Sequence, residues 1–171
     1  STTDSLLGYK PNPGFSGIIH HPPGWDEVYV SIDQHGFRRH VDDNHVSEHS
    51  GERLLAVGDS FTFGDQVRNS DTWPACIAQQ TRLDAWNGGV FGYGAAQAIL
   101  RAEREIAIHE PFDIIVWSIT VDSDFDRDQL SVRSSFPKPY IATVDGETMA
   151  VPPGNFDSSP DFMWLLGYSV I

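Results

Sequence analysis

Arg53-Leu54-Leu55-Ala56-Val57-Gly58-Asp59-Ser60-Phe61 is the stretch on which the fold turns. Leu54 to Val57 is a short, unbroken apolar run, without the polar alternation of a strand that faces water on one side. Such a run reads as a strand buried on both faces, the kind found inside parallel sheets covered by helices. Gly58 ends it. A serine placed directly after such a strand falls at the carboxyl edge of the sheet, where open α/β folds hold their ligands.

The pattern downstream repeats this unit. Asp71 or Thr72 can cap a helix over 72–81, and Pro74 is allowed in its first turn. A second short strand ends near Asn87. Gly92-Tyr93-Gly94 leads into a helix over 95–109, where Ile99, Ala102, Ile106 and Ala107 are expected to form the buried face and Arg101 to pair with Glu105 one turn on. Pro111 stops that helix, and Asp113 to Ile119 supplies a third apolar strand, expected inside the sheet. Strand, helix, strand, helix, strand implies right-handed crossovers and a doubly wound sheet. Asp145-Gly146 between Tyr140–Val144 and Thr148–Val151 then signals an inserted hairpin. Pro152 to Pro160 reads as loop, and Phe162-Met163-Trp164-Leu165-Leu166 as an apolar stretch without an exit signal before Ile171.

Upstream, Pro11, Pro13, Pro22 and Pro23 with Gly14, Gly17 and Gly24 break helices, so residues 9–24 read as an extended arm that wraps a surface. Glu27 to Asp33 alternates with a period of two, as a half-buried strand does, and Gly36 marks a turn after it. Residues 38–52 are polar and read as a solvated loop. The whole is expected to be one domain, an arm of residues 1–52 packed on an α/β body of residues 53–171, because 171 residues lie within the range of a single core.

A formal charge of −13 repels phosphate backbones and anionic headgroups, which excludes nucleic acid as the expected partner. Cys76 is the sole cysteine and is expected to be a buried, inert thiol. No apolar run has the length of a membrane span, and Ser1 to Asp4 lacks the basic start and apolar stretch of a signal peptide. The compartment stays open, export included, because a signal or anchor removed ahead of Ser1 leaves no trace.

Ser60 is the residue that carries chemistry. A serine hydroxyl is a weak nucleophile that needs a base, and backbone N–H groups at the start of the following helix can stabilise an oxyanion. The plainer role for such a serine is to cap a helix. Three ordered blocks weigh against the plainer role: Leu55 to Gly64, Asp71-Thr72-Trp73-Pro74, and Asn87-Gly88-Gly89-Val90-Phe91-Gly92-Tyr93-Gly94. Together they resemble the SGNH, or GDSL-like, hydrolase superfamily. Gly8-Tyr9-Lys10-Pro11, Gly36-Phe37-Arg38 and Lys138-Pro139-Tyr140 extend the likeness towards one bacterial branch.

The resemblance implies a flavodoxin-like three-layer α/β/α fold and the hydrolysis or transfer of ester-linked acyl groups, commonly acetyl on carbohydrate, through an acyl-enzyme. Ser60 falls at the nucleophile position. The Ser60 and Gly92 N–H groups fall at oxyanion-donor positions, with Asp59 and Asn87 supporting the two turns. Two features depart from the family. Asp122 stands where an asparagine donor is expected, and an ionised carboxylate about 4 Å from a developing oxyanion costs about 4 kcal/mol at an effective dielectric of about 20. Asp122 is therefore expected to be protonated, displaced or uninvolved. The family's Asp-x-x-His block, which carries the base, has no counterpart, since no histidine follows His109.

Two explanations stand for the missing base. The favoured one is that the remaining strands and the base lie beyond Ile171; the other is a noncatalytic relative that binds an acylated glycan or a protein through the same cleft. No metal or organic cofactor is implied, since serine itself carries the acyl group. His40, His45 and His49 with Asp42 and Asp43 match no zinc spacing and read as part of the solvated loop. His109, at the end of its helix, suits the dipole there as a cation.

Overall fold

The computed structural model describes residues 1–24, 26–40, 51–109, 111–133 and 135–153, and its fold is mixed α/β. The N-terminal arm is built of short strands. β1 (Thr2–Asp4) pairs antiparallel with β2 (Gly8–Lys10), and the turn between them is tied by Asp4 Oδ1, which accepts from the Leu6 and Leu7 N–H groups at 3.0 and 2.9 Å. β3 (Ser16–Ile19) pairs antiparallel with β4 (Val28–Ser31), where Val28 and Val30 are buried and Tyr29 faces out, as the period-two reading requires.

β5 (Arg53–Val57) is the central strand of a three-stranded parallel sheet, between β6 (Asp84–Asn87) and β7 (Ile114–Trp117). Alternate residues serve opposite faces. Leu54 and Ala56 pack with Trp73, Ile77 and Ala78 of α2 (Trp73–Gln80), while Leu55 and Val57 pack with Phe37 and with Ala98 and Ala102 of α3 (Ala95–Ile108). Every side chain from Leu54 to Val57 is buried, which is why the run contains no polar residue. α2 starts where expected, with Thr72 Oγ1 accepting from Ala75 N–H at 3.3 Å and Pro74 in the first turn. A four-residue helix, α1 (Ser60–Phe63), follows β5, and α4 (Val121–Asp128) follows β7.

The antiparallel pieces after α4 are β8 (Val132–Arg133) with β9 (Phe136–Pro137), and β10 (Tyr140–Val144) with β11 (Glu147–Val151). In the second hairpin Val144 pairs with Glu147, and Asp145 and Gly146 take φ of 52° and 85°, the positive values that a tight two-residue hairpin turn demands. Among the described residues no helix is long and apolar enough to cross a membrane.

Four expectations need correcting. β7 pairs only with β5 among the described residues, and Ile115 and Trp117 are 47% and 40% exposed, so this strand is open on one face rather than interior. An apolar run reports a preference for burial and not whether a neighbour arrives. On α3 the buried stripe is Gln97, Ala98, Arg101, Ala102 and Glu105, while Ile99 and Ile106 face solvent. Polar side chains win those positions because they find partners: Gln97 Nε2 donates to Leu7 O at 2.6 Å, Arg101 Nη2 donates to Gly36 O at 2.8 Å, and Glu105 receives Arg104 at 3.0 Å. Arg38, read as the start of a solvated loop, is buried. Cys76 is half-buried rather than buried. The remainder of that loop, with His45 and His49, and the apolar stretch after residue 160 lie outside the described residues.

Lys138 is fully buried, and its Nζ donates to the carbonyls of Arg127 and Leu130 at 2.8 Å and of Pro139 at 2.9 Å, gathering the end of α4. Burial pushes this ammonium down from 10.5 to about 8, with Asp128 pulling back towards the charged form. Between about pH 8 and 10.5 the unfolded chain therefore holds a proton that the folded chain has released, and stability rises with pH across that window. Urea unfolding is expected to give a larger free energy at pH 9.5 than at pH 7.5 in the native chain and to lose that rise in Lys138→Met.

Candidate active site at the carboxyl edge of the sheet

Three turns leave the carboxyl ends of the parallel strands: Gly58-Asp59 after β5, residues 88–94 after β6, and residues 118–120 after β7. They are packed backbone to backbone. Val90 N–H donates to Gly58 O at 3.0 Å and Gly88 N–H to Ala56 O at 2.7 Å. A Cβ on Gly89 would lie 2.2 Å from Phe63 N, and one on Gly58 would lie 2.8 Å from Ser118 O, so both positions need hydrogen where other residues carry carbon.

Ser60 opens α1, half-buried, with its neighbour Phe61 70% exposed. The helix is capped by Asp59, whose Oδ1 accepts from Phe61 N–H at 2.9 Å. The serine is thereby released from the capping role, and among the described residues its hydroxyl has no hydrogen-bonding partner. The N–H groups of Ser60 and Gly92 likewise donate to nothing among the described residues. Gly92 takes a φ of +68°, and a Cβ there would lie 3.0 Å from Arg133 Nε and 3.3 Å from Tyr9 Oη.

Asp59 Oδ2 turns the other way and meets Arg127 Nη1 at 3.0 Å. The same nitrogen donates to Asp124 Oδ1 at 2.7 Å and to Tyr93 O at 3.2 Å. One arginine of α4 thus fastens the turn that carries Ser60 to the turn that carries Gly92. Asp124 Oδ2 accepts Thr120 N–H at 2.8 Å and so caps the helix from within. Burial pushes the Asp124 carboxyl up; the Thr120 N–H and Arg127 draw it back, and Asp59 adds to the rise. Asp128, also pushed up by burial, spans the gap to α3, where both of its oxygens accept Ala96 N–H at 3.1 and 3.0 Å and replace the cap that Gly94 lacks.

The residues singled out in the sequence divide into two groups. Ser60, Asp59 and Gly92 belong to turns joined through Arg127. Asn87 is buried beneath them: its Oδ1 accepts Gly89 N–H at 3.0 Å, its Nδ2 lies 3.5 Å from Phe63 O, and its carbonyl accepts Arg38 N–H at 3.0 Å. Asp122 stands apart, exposed on the first turn of α4. The described histidines are occupied elsewhere. His20 meets Glu27 at 2.8 Å, His21 meets Asp65 O at 2.8 Å, His40 reaches Ala85 O, and His35 and His109 lie edge to face with ring centres 5.3 Å apart. Among the described residues no group of three histidine, cysteine or acidic side chains is placed to hold a metal ion. The structure adds Arg127 and Asp124 to the site, and their i,i+3 spacing in a segment following the third strand is the only sequence signal for either.

The fold and site define an α/β protein with a serine at the carboxyl edge of its parallel sheet. No family model, curated protein or solved structure matches the chain.

Proposed function

We propose that this is a serine esterase or acyltransferase of the SGNH type, acting on ester-linked acyl groups of a small molecule or carbohydrate, within a flavodoxin-like three-layer fold. One observation carries the reading. At the end of the central strand a serine hydroxyl, its own N–H and the Gly92 N–H all lack partners among the described residues, while the Asp59 carboxylate is committed to Phe61 and Arg127. Unpartnered donors beside a nucleophile are what a developing oxyanion requires.

In acylation the Ser60 oxygen attacks the ester carbonyl, the bond to the alcohol breaks, and the serine proton passes to the departing alcohol through a base. Among the described residues no histidine contacts Ser60, so the base comes from elsewhere. Asp122, exposed on α4, takes no part as an oxyanion donor in this scheme. Whether water or a second alcohol receives the acyl group depends on access to the acyl-enzyme.

A fluorophosphonate probe is expected to label the full-length protein, with the adduct mapped to Ser60 by mass spectrometry, and to leave its Ser60→Ala variant unlabelled. Turnover of p-nitrophenyl acetate is expected to drop to the uncatalysed rate in the same variant. An unlabelled full-length protein that binds an O-acetylated oligosaccharide without releasing acetate would replace catalysis with recognition.

A further inference from the structure

A cavity of about 200 Å³ lies between the β3–β4 ribbon and the turn after β6. Its floor is Val30, Ile32, Phe63 and Val90, all buried, and its mouth includes Phe15 and Phe91, which are 40% and 36% exposed. No lining side chain is ionised. The floor is wholly apolar, with Ser1 and Asn12 the polar part of the lining, and such a floor favours a neutral hydrocarbon group. The recess is also not a packing remnant sealed inside a core, since exposed residues form part of its wall. An apolar cavity of about 150 Å³ suffices for benzene and stays dry when empty. The space here accordingly suits an aromatic ring or a chain of about six carbons.

Two rings link this recess to the serine site. Phe63 closes the helix that Ser60 opens, and Phe91 immediately precedes Gly92; their centres are 4.9 Å apart. Neither Ser60 nor Gly92 lines the recess itself, and each is connected to it through the ring on its own turn.

We infer that this recess binds the apolar part of the ester presented to Ser60, an acyl chain or aryl group of about six carbons, which makes the preferred substrate longer than an acetate. The recess is a binding site in its own right, and the acyl assignment rests on the serine reading above. The two are tested separately. Titration with 1-hexanol is expected to shift the methyl resonances of Val30, Ile32 and Val90, ethanol to leave them in place, and Ile19→Phe, which fills the half-buried wall, to abolish the hexanol shifts. Should Ile19→Phe fail to fold, Phe15→Ala, at the exposed mouth, is expected to weaken hexanol binding in its place. For turnover, kcat/KM is expected to rise about fourfold per methylene from p-nitrophenyl acetate to the hexanoate, as burial of each methylene predicts. Ile19→Phe is expected to remove that rise.

Floor methyls that do not respond to hexanol would overturn the recess as a site, whether or not any ester is cleaved. Acetate and hexanoate cleaved at equal rates would overturn the acyl assignment. Hexanol bound by a chain that no fluorophosphonate labels would uphold the recess and remove only the serine reading.

Discussion

Arg127→Met is expected to lower the unfolding free energy by about 3–5 kcal/mol at neutral pH, the cost of stranding buried carboxylates without their counter-charge. Asp59 and Asp124 are each almost wholly enclosed, and Arg127 Nη1 is the donor both share. The loss is a large part of a domain's usual margin of about 5–15 kcal/mol. The sign of its pH dependence follows from the same geometry. With the guanidinium gone, the Asp124 carboxyl, already pushed up by burial, loses one of the groups that draw it back, so acid relieves the defect. Urea unfolding at pH 7 and pH 5 checks this: the gap between variant and native chain is expected to narrow at pH 5. An equal gap at both values would mean that Arg127 acts by packing alone. Labelling of Ser60 is expected to slow in the variant as well, because the turn loses its tie to Tyr93 O.

Arg38→Met is expected to cost a similar amount, about 3–5 kcal/mol, through a different mechanism. The Arg38 guanidinium donates to Phe63 O at 2.7 Å, to Gly64 O, to Val67 O at 2.6 Å and to Asn69 Oδ1 at 3.0 Å, and it lies 5.0 Å from the Phe63 ring centre. These carbonyls belong to the segment that leaves α1. Methionine fills much of the volume and restores none of the bonds, and each buried acceptor left without a donor costs about 1–3 kcal/mol. Thermal melting reports the loss. Hydrogen exchange localises it, with protection expected to fall first over residues 60–71. A variant as stable as the native chain would show that water replaces the guanidinium.

These two arginines mark where the sequence stops being legible. Arg38 stands next to a polar, histidine-rich stretch and Arg127 in a run of aspartates, and local composition places both in solvent. Each is instead drawn inwards by acceptors distant in sequence, 25 to 31 residues away for Arg38 and 68 for the Asp59 contact of Arg127. The helix 95–108 gives the same lesson. Its pattern is amphipathic, yet Arg101 takes the inner face because Gly36 O meets it there, while Ile99 and Ile106 stay outside. Periodicity assigns faces by hydropathy and has no access to a partner supplied by another element.

The sequence by itself determined the central strand, the turn that carries Ser60, the N-terminal cap of α2, the start of α3 and the Asp145-Gly146 hairpin, because each depends on neighbours within a few residues: an apolar run, a threonine shortly before a proline, a glycine where φ must be positive. Tertiary structure alone decided which strand of the sheet lies open, which cations are buried, and that Arg127 would draw the Ser60 and Gly92 turns together. Those outcomes depend on long-range pairing of charges and carbonyls in a medium where an unpaired polar group is costly, and no local pattern encodes the identity of the partner.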